Sequence, residues 1–178
     1  YDDNCYQAPL ACGVIYKQEL EPIRKQLEEI KPWPAVFDPA FVKNLSGPNV
    51  KKAANKMELA EMLMKDMENF KKEKDLDRLV MCWCGSTEVY QEEMDHEAFQ
   101  TVEGFEKALK DDLAIIPPSM IYAYAAIRMG VPFANGSPNQ TVDHPAMIEL
   151  ALKYNVAIAG KDFKTGQTLM KTIVAPGL

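Results

Sequence analysis

Leu79-Val80-Met81-Cys82-Trp83, followed by Cys84-Gly85-Ser86-Thr87, is the stretch on which the fold turns. An apolar run stands between charge on one side and small, polar residues on the other. That is the pattern of a short buried strand running into a turn. It recurs twice downstream. Val131-Pro132-Phe133-Ala134 runs into Asn135-Gly136-Ser137-Pro138, and Val156-Ala157-Ile158-Ala159 ends at Gly160. Helical patterns separate the strands: a weak one over residues 103–111, a firmer one over 119–129 just past Pro117-Pro118, and one over 145–154. Strands alternating with helices of about ten residues predict right-handed crossovers and a parallel sheet, hence an α/β fold.

Upstream the chain reads as helical. Helices are expected over residues 4–16 and 22–30, with Pro22 tolerated in a first turn. Lys31-Pro32-Trp33-Pro34 ends the second, because a residue before proline avoids the helical region. A loop follows, marked by Phe37-Asp38-Pro39 and Ser46-Gly47-Pro48-Asn49. The clearest helix carries Leu59, Met62, Leu63, Met67 and Phe70 at spacings of three and four, which predicts their packing into a core. The charged run 71–74 reads as its solvated end. The tail over 164–174 is expected to be helical.

The 178 residues suffice for one domain, with 47% hydrophobic and 26% charged residues, the balance of a soluble globular chain. A net charge of −6 argues against a nucleic-acid partner. No apolar run reaches the roughly 18 residues that would span a membrane. The opening Tyr1-Asp2-Asp3-Asn4 has neither the charge nor the apolar run of a signal peptide. Cys5, Cys12, Cys82 and Cys84, with His96 and His144, do not have the spacing of a zinc site. No metal is expected. The cysteines read as reduced and buried in a cytoplasmic protein, and the two histidines as core or surface residues.

In parallel sheets ligands bind beyond the carboxyl ends of the strands. Three segments occupy that position: 84–88, 135–140 and 160–166. Each is small, polar and contains glycine, which allows close backbone approach and exposes N–H groups to phosphate. Taken singly, each is equally an ordinary strand-to-helix turn. Together they point to a nucleotide or a sugar phosphate. Neither the glycine-rich dinucleotide fingerprint nor a nucleotide-hydrolase phosphate loop occurs in the 178 residues.

These loops carry specific text. Phe133-Ala134-Asn135-Gly136-Ser137-Pro138 resembles the Phe-x-Asn-Gly-Ser-Pro block of the myo-inositol-1-phosphate synthase (inositol-3-phosphate synthase) family. The run from Gly160-Lys161-Asp162-Phe163-Lys164-Thr165-Gly166-Gln167-Thr168 to Lys171 resembles its Gly-Asp-Asp-Phe-Lys-Ser-Gly-Gln-Thr-Lys-Met-Lys block. Trp83-Cys84-Gly85-Ser86-Thr87-Glu88 is similar to its Trp-Thr-Ala-Asn-Thr-Glu block, and two further stretches, Pro32 to Pro39 and Pro117 to Ala123, match in order. The likeness runs along essentially the whole chain and is nearest to bacterial members.

The resemblance implies the later part of a Rossmann-like dinucleotide-binding domain over residues 1–178, ending about where a catalytic and tetramerisation domain would begin. It implies NAD as cofactor and D-glucose 6-phosphate as substrate. The product would be 1D-myo-inositol 3-phosphate, formed by oxidation, enolisation, aldol cyclisation and reduction, in a cytoplasmic homo-tetramer. NAD contacts would fall on Ala35 and Val36 near the adenosine, then on Cys84, Gly85, Ser86, Thr87, Gly136, Ser137, Asp162 and Thr165. Asp162 would also stand near the nicotinamide in a proton relay; its bland rival is a cap on the helix beginning near Lys164. Lys164 matches a family lysine or is merely a solvated first-turn residue.

This sequence departs from the family text in several places. Cys84, Gly85 and Ser86 replace Thr, Ala and Asn, Lys161 replaces an acid, Thr165 replaces a serine and Leu169 a lysine. The family's nucleotide fingerprint would precede Tyr1, and its main catalytic lysines would follow Leu178. The 178 residues alone are therefore expected to be inactive. Two other classes stand beside the enzyme: a non-catalytic NAD-binding module, and an interaction protein whose acidic helix surface over 58–73 docks a partner.

Overall fold

The computed structural model describes residues 4–163, 172–174 and 176. The amino-terminal part is a run of short helices, α1 (Gln7–Ala11), α2 (Lys17–Leu20) and α3 (Arg24–Glu29), with a 3-10 turn at Glu21–Ile23. The single helix expected over 4–16 is instead α1 and a turn. Gly13 takes φ +65°, a left-handed backbone that a helix does not continue through.

A long loop crosses to α4 (Lys56–Glu73). It is pinned by a parallel bridge between Ala35 and Val50 and by the Lys51–Asp66 ion pair at 2.6 Å. The Asn55 side chain accepts from the Glu58 N–H at 3.0 Å, while the Glu58 carboxylate accepts from the Ala54 N–H at 2.9 Å. The first bond satisfies a backbone donor that a helix start leaves open, and the second fixes the chain just before it. The buried stripe of α4 is Lys56, Ala60, Leu63 and Met67. Met62 and Phe70, expected in the core, lie on its exposed flank. Phe70 packs edge-on against Trp33, with ring centroids 5.7 Å apart.

The remainder is the expected crossover unit. β1 (Met81–Trp83) leads through a 3-10 turn at Glu97–Phe99 to α5 (Val102–Lys110) and α6 (Pro118–Arg128). β2 (Phe133–Asn135), α7 (Pro145–Tyr154) and β3 (Ile158–Ala159) complete it. The sheet is parallel with order β1-β2-β3. Met81, Phe133 and Ile158 lie in register, and this face packs on the core formed with α4, α5, α6 and α7. α6 is buried almost all round, from Pro118 to Ile127, as a central helix must be.

The other face of the sheet has no cover among the described residues. Cys82, Ala134 and Ala159 share it in register; Cys82 and Ala159 are exposed, and Val80, just before β1, is 67% exposed. The buried strand expected at 79–83 is therefore buried on one side only. For the same reason the expectation of buried cysteines fails. All four cysteines are exposed, because Cys82 points from the open face, Cys84 lies in a surface loop, and Cys5 and Cys12 flank the short α1. Most of the helix expected over 164–174 lies outside the described residues, although 172–174 are helical.

Candidate functional site

The three strands end side by side, so the segments after them meet at one edge of the sheet. The Gly136 N–H donates to the Trp83 carbonyl at 2.8 Å, extending the ladder beyond β2. The third segment closes over the second: the Asp162 N–H donates to the Ser137 carbonyl at 2.9 Å and the Phe163 N–H to the Gly136 carbonyl at 3.2 Å. Lys161 makes an ion pair with Asp143 that ties the same segment to the turn before α7. Thus Cys84, Gly85, Ser86, Thr87, Gly136, Ser137 and Asp162, scattered over nearly eighty positions of sequence, occupy one region.

Two glycines make this closeness possible. A Cβ on Gly136 would stand 2.6 Å from the Phe163 ring and 2.8 Å from the Trp83 carbonyl oxygen. A Cβ on Gly160, at φ +138°, would stand 2.8 Å from the Asn135 Cβ. All three distances are shorter than packed heavy atoms tolerate. Glycine here makes room for neighbouring loops of the protein itself.

The expected site residues differ in what they present. Cys84, Gly85, Ser86 and Thr87 are exposed. Asp162 is exposed at φ +63°, which is not the extended backbone an N-cap residue takes. Ser137 is buried and its hydroxyl is committed, donating to the Asn135 side-chain oxygen at 2.9 Å; the Ser137 N–H donates to the same oxygen at 3.1 Å. Ala35 and Val36 reach the region indirectly. The buried Val36 N–H donates to the Tyr122 hydroxyl at 3.0 Å, and Tyr122 stacks on Trp83 at 5.1 Å. Burial pushes the Tyr122 hydroxyl up from its usual range. Thr165 and Lys164 lie outside the described residues.

Beneath the exposed loops is a buried polar cluster that the sequence reading did not single out. The Glu88 carboxylate accepts from the Ser119 N–H at 2.8 Å, from the Ser119 hydroxyl and from the Asn139 side-chain amide at 3.2 Å. The Glu88 N–H donates to the Asn139 side-chain oxygen at 2.9 Å. Thr141 donates to the Ser119 hydroxyl at 2.8 Å, and Asn135 donates to the Asn139 carbonyl at 2.7 Å. Burial pushes the Glu88 carboxyl up, and the bonds from Ser119 hold it down in part. A cavity of about 120 Å³ opens beside it, lined by Thr87, Glu88, Tyr90, Asn139 and Thr141 among others. The one signal in sequence was an acid closing a run of small residues after a strand.

His96 accepts from the Ala98 N–H at 3.1 Å and starts the 3-10 turn. His144 is buried between Phe99 and Phe105, at ring distances of 5.0 and 5.4 Å. No metal-holding group of histidine, cysteine or carboxylate side chains occurs among the described residues, and none of their helices is long and apolar enough to cross a membrane.

The chemistry of the edge fits a dinucleotide. Exposed loop backbone lies at the carboxyl ends of parallel strands, where such ligands bind. The Trp83 indole N–H is buried without a hydrogen-bond partner among the described residues, at the root of the 84–87 loop. An unmatched buried donor of this kind is rare in a finished site.

Comparison with known proteins agrees. A family model of the NAD-binding domain of myo-inositol-1-phosphate synthase matches residues 1–176. Inositol-3-phosphate synthase 1 of Bacteroides thetaiotaomicron is 45% identical over 177 residues, covering 99% of this chain and 41% of the relative. Isozyme 1 of inositol-3-phosphate synthase from Arabidopsis thaliana is 36% identical over 175 residues, covering 97% of this chain and 34% of its own length. The crystal structure of inositol-3-phosphate synthase from Caenorhabditis elegans superposes with a TM-score of 0.86 at 31% identity, over 99% of this chain and 36% of that one. The chain thus spans between about a third and two fifths of the length of these relatives. On the match of its whole length in sequence and in fold, the chain belongs to the myo-inositol-1-phosphate synthase family, in its NAD-binding domain.

Proposed function

We propose that this chain is the NAD-holding segment of an enzyme that converts D-glucose 6-phosphate to 1D-myo-inositol 3-phosphate, and that the 178 residues do not complete the reaction by themselves. The observation that carries this reading is the meeting of the 84–88, 136–140 and 160–163 segments at one sheet edge. The cofactor supplies a hydride acceptor that later returns the hydride, so that no net oxidation results. This chain's own residues bind and orient. The exposed backbone at Cys84, Gly85, Ser86 and Thr87 lines the cofactor. Gly136 and Ser137 bring the second loop against it through main-chain atoms. Ala35 and Val36 are read as standing on the adenosine side, and Thr165, outside the described residues, as a further cofactor contact on the strength of the family resemblance. Asp162, exposed at the carboxyl edge of the sheet, is read as the residue that holds or passes a proton. The whole enzyme is read as a cytoplasmic homo-tetramer, with residues 1–178 forming the later part of its Rossmann-like domain.

Trp83 gives a direct test, because its ring packs against Gly85. Titration of NAD into the purified chain is expected to quench tryptophan fluorescence saturably, and glucose 6-phosphate added to that mixture is expected to remain unconverted. The absence of a saturable change would overturn the reading that these 178 residues hold NAD by themselves. Turnover would overturn the incompleteness.

A further inference from the structure

We propose that Glu88 is a positioning residue for cofactor binding. Its buried side chain locks the 84–88 and 136–140 loops to each other and to the start of α6, so that their outer surfaces form one face for NAD. This rests on the NAD reading above and concerns a residue that none of the expected contacts includes.

The argument is one of hydrogen-bond polarity. The Ser119 N–H can only donate, and it lies in the first turn of α6, where helix N–H groups have no partner of their own. The Glu88 N–H also can only donate, and it does so to the Asn139 side chain. That fixes which end of the Asn139 amide is oxygen, so its NH₂ must face the carboxylate. Both Glu88 oxygens therefore meet donors that cannot be reversed. A carboxylate fits this nest and an amide does not.

The cluster is also buried. Glu88 is 7% exposed, Asn139 8%, and Ser119, Thr141 and Asn135 are fully buried. No ion pair among the described residues includes Glu88. A buried anion is instead held by the donors named and by the positive end of α6. Such an arrangement is costly unless every member is satisfied. Here it joins segments about 30 and 50 positions apart in sequence that carry Thr87 on one side and Ser137 on the other.

The test compares the purified chain with two variants, Glu88→Gln and the double variant Glu88→Gln/Asn139→Asp. The double variant reverses the polarity of the side-chain contact: the new Asp accepts both the residue-88 N–H and the new amide. NAD affinity, thermal midpoint and amide hydrogen exchange over 84–88 and 136–140 are measured for each. Glu88→Gln is expected to weaken NAD binding at least about tenfold, the scale of a buried donor left facing a donor, and to speed exchange in both loops. The double variant is expected to restore both. A folded Glu88→Gln chain with unchanged NAD affinity would overturn the proposal, even with a lower thermal midpoint, because it would leave Glu88 only a stabilising role. Loss of affinity that the double variant does not restore would also overturn it. Failure of the unaltered chain to bind NAD would overturn the reading that it holds NAD by itself, and this proposal with it.

Discussion

His144 shows how much a single side chain can owe to its surroundings. Its imidazole lies among Phe99, Phe105 and the helices around them, and neither ring nitrogen has a hydrogen-bond partner among the described residues. Burial lowers its pKa from 6.5 to about 4, an effect that the Phe99 backbone and the Asp143 charge only partly offset. A proton therefore binds the unfolded chain more readily than the folded one. The stability His144 confers as a neutral ring is fully present above pH 6.5 and is lost as pH falls toward about 4. The full difference is about 3 kcal/mol at roughly 1.4 kcal/mol per pKa unit. Denaturant unfolding at pH 7 and at pH 4.5 is expected to show most of that loss, and His144→Leu to flatten this part of the slope. The sequence could supply only the default of a core or surface histidine, since the two phenylalanines that desolvate it come from separate elements. The same limit hid the cluster around Glu88. Glu88 and Asn139 are 51 residues apart, and no local pattern says that they meet. Ser137 was legible as a polar residue in a ligand loop, but that its hydroxyl is taken by Asn135 is knowable only from the folded turn.

At the scale of elements, legibility followed the strength of the local signal. α7 was expected over 145–154 and has those bounds, because Pro145 starts it and Asn155, at φ +52°, ends it. α4 was equally clear as a helix, yet its buried stripe was misplaced. Periodicity gives spacing on a helix, while the neighbours decide which flank is covered, and Trp33 covers Phe70 only in part. Its start was not singled out in sequence, although Asn55 and Glu58 are a capping pair. Removal of the Asn55 oxygen leaves the Glu58 N–H without its side-chain acceptor. Asn55→Ala is accordingly expected to cost about 1 kcal/mol, read as a shift of the denaturant midpoint with an unchanged slope. The strands were the least secure in extent. Each was expected over four or five residues and is two or three long, because an apolar run marks burial and says little about where pairing stops.

For the molecule as a whole, the informative feature is the sheet with one covered face. A run apolar on alternate residues of both faces belongs to a strand buried on both sides. Here Met81, Phe133 and Ile158 have that cover, while among the described residues Cys82 and Ala159 are exposed and Ala134 is half-buried. The residues on the open side are small, which suits a flat surface onto which further backbone can pack closely. Cys82 reports directly on that surface. It is exposed and belongs to no disulfide. In the native 178-residue chain Cys82 is therefore expected to react with a thiol reagent about as readily as the loop residue Cys84, without denaturant. In a longer protein whose additional elements cover the sheet, Cys82 is expected to be protected, with protection released only on unfolding. Mass spectrometry of pulse-labelled protein distinguishes the two thiols. Slow labelling of Cys82 in the native chain would mean that the face is already closed, either by residues outside those described or by a second copy.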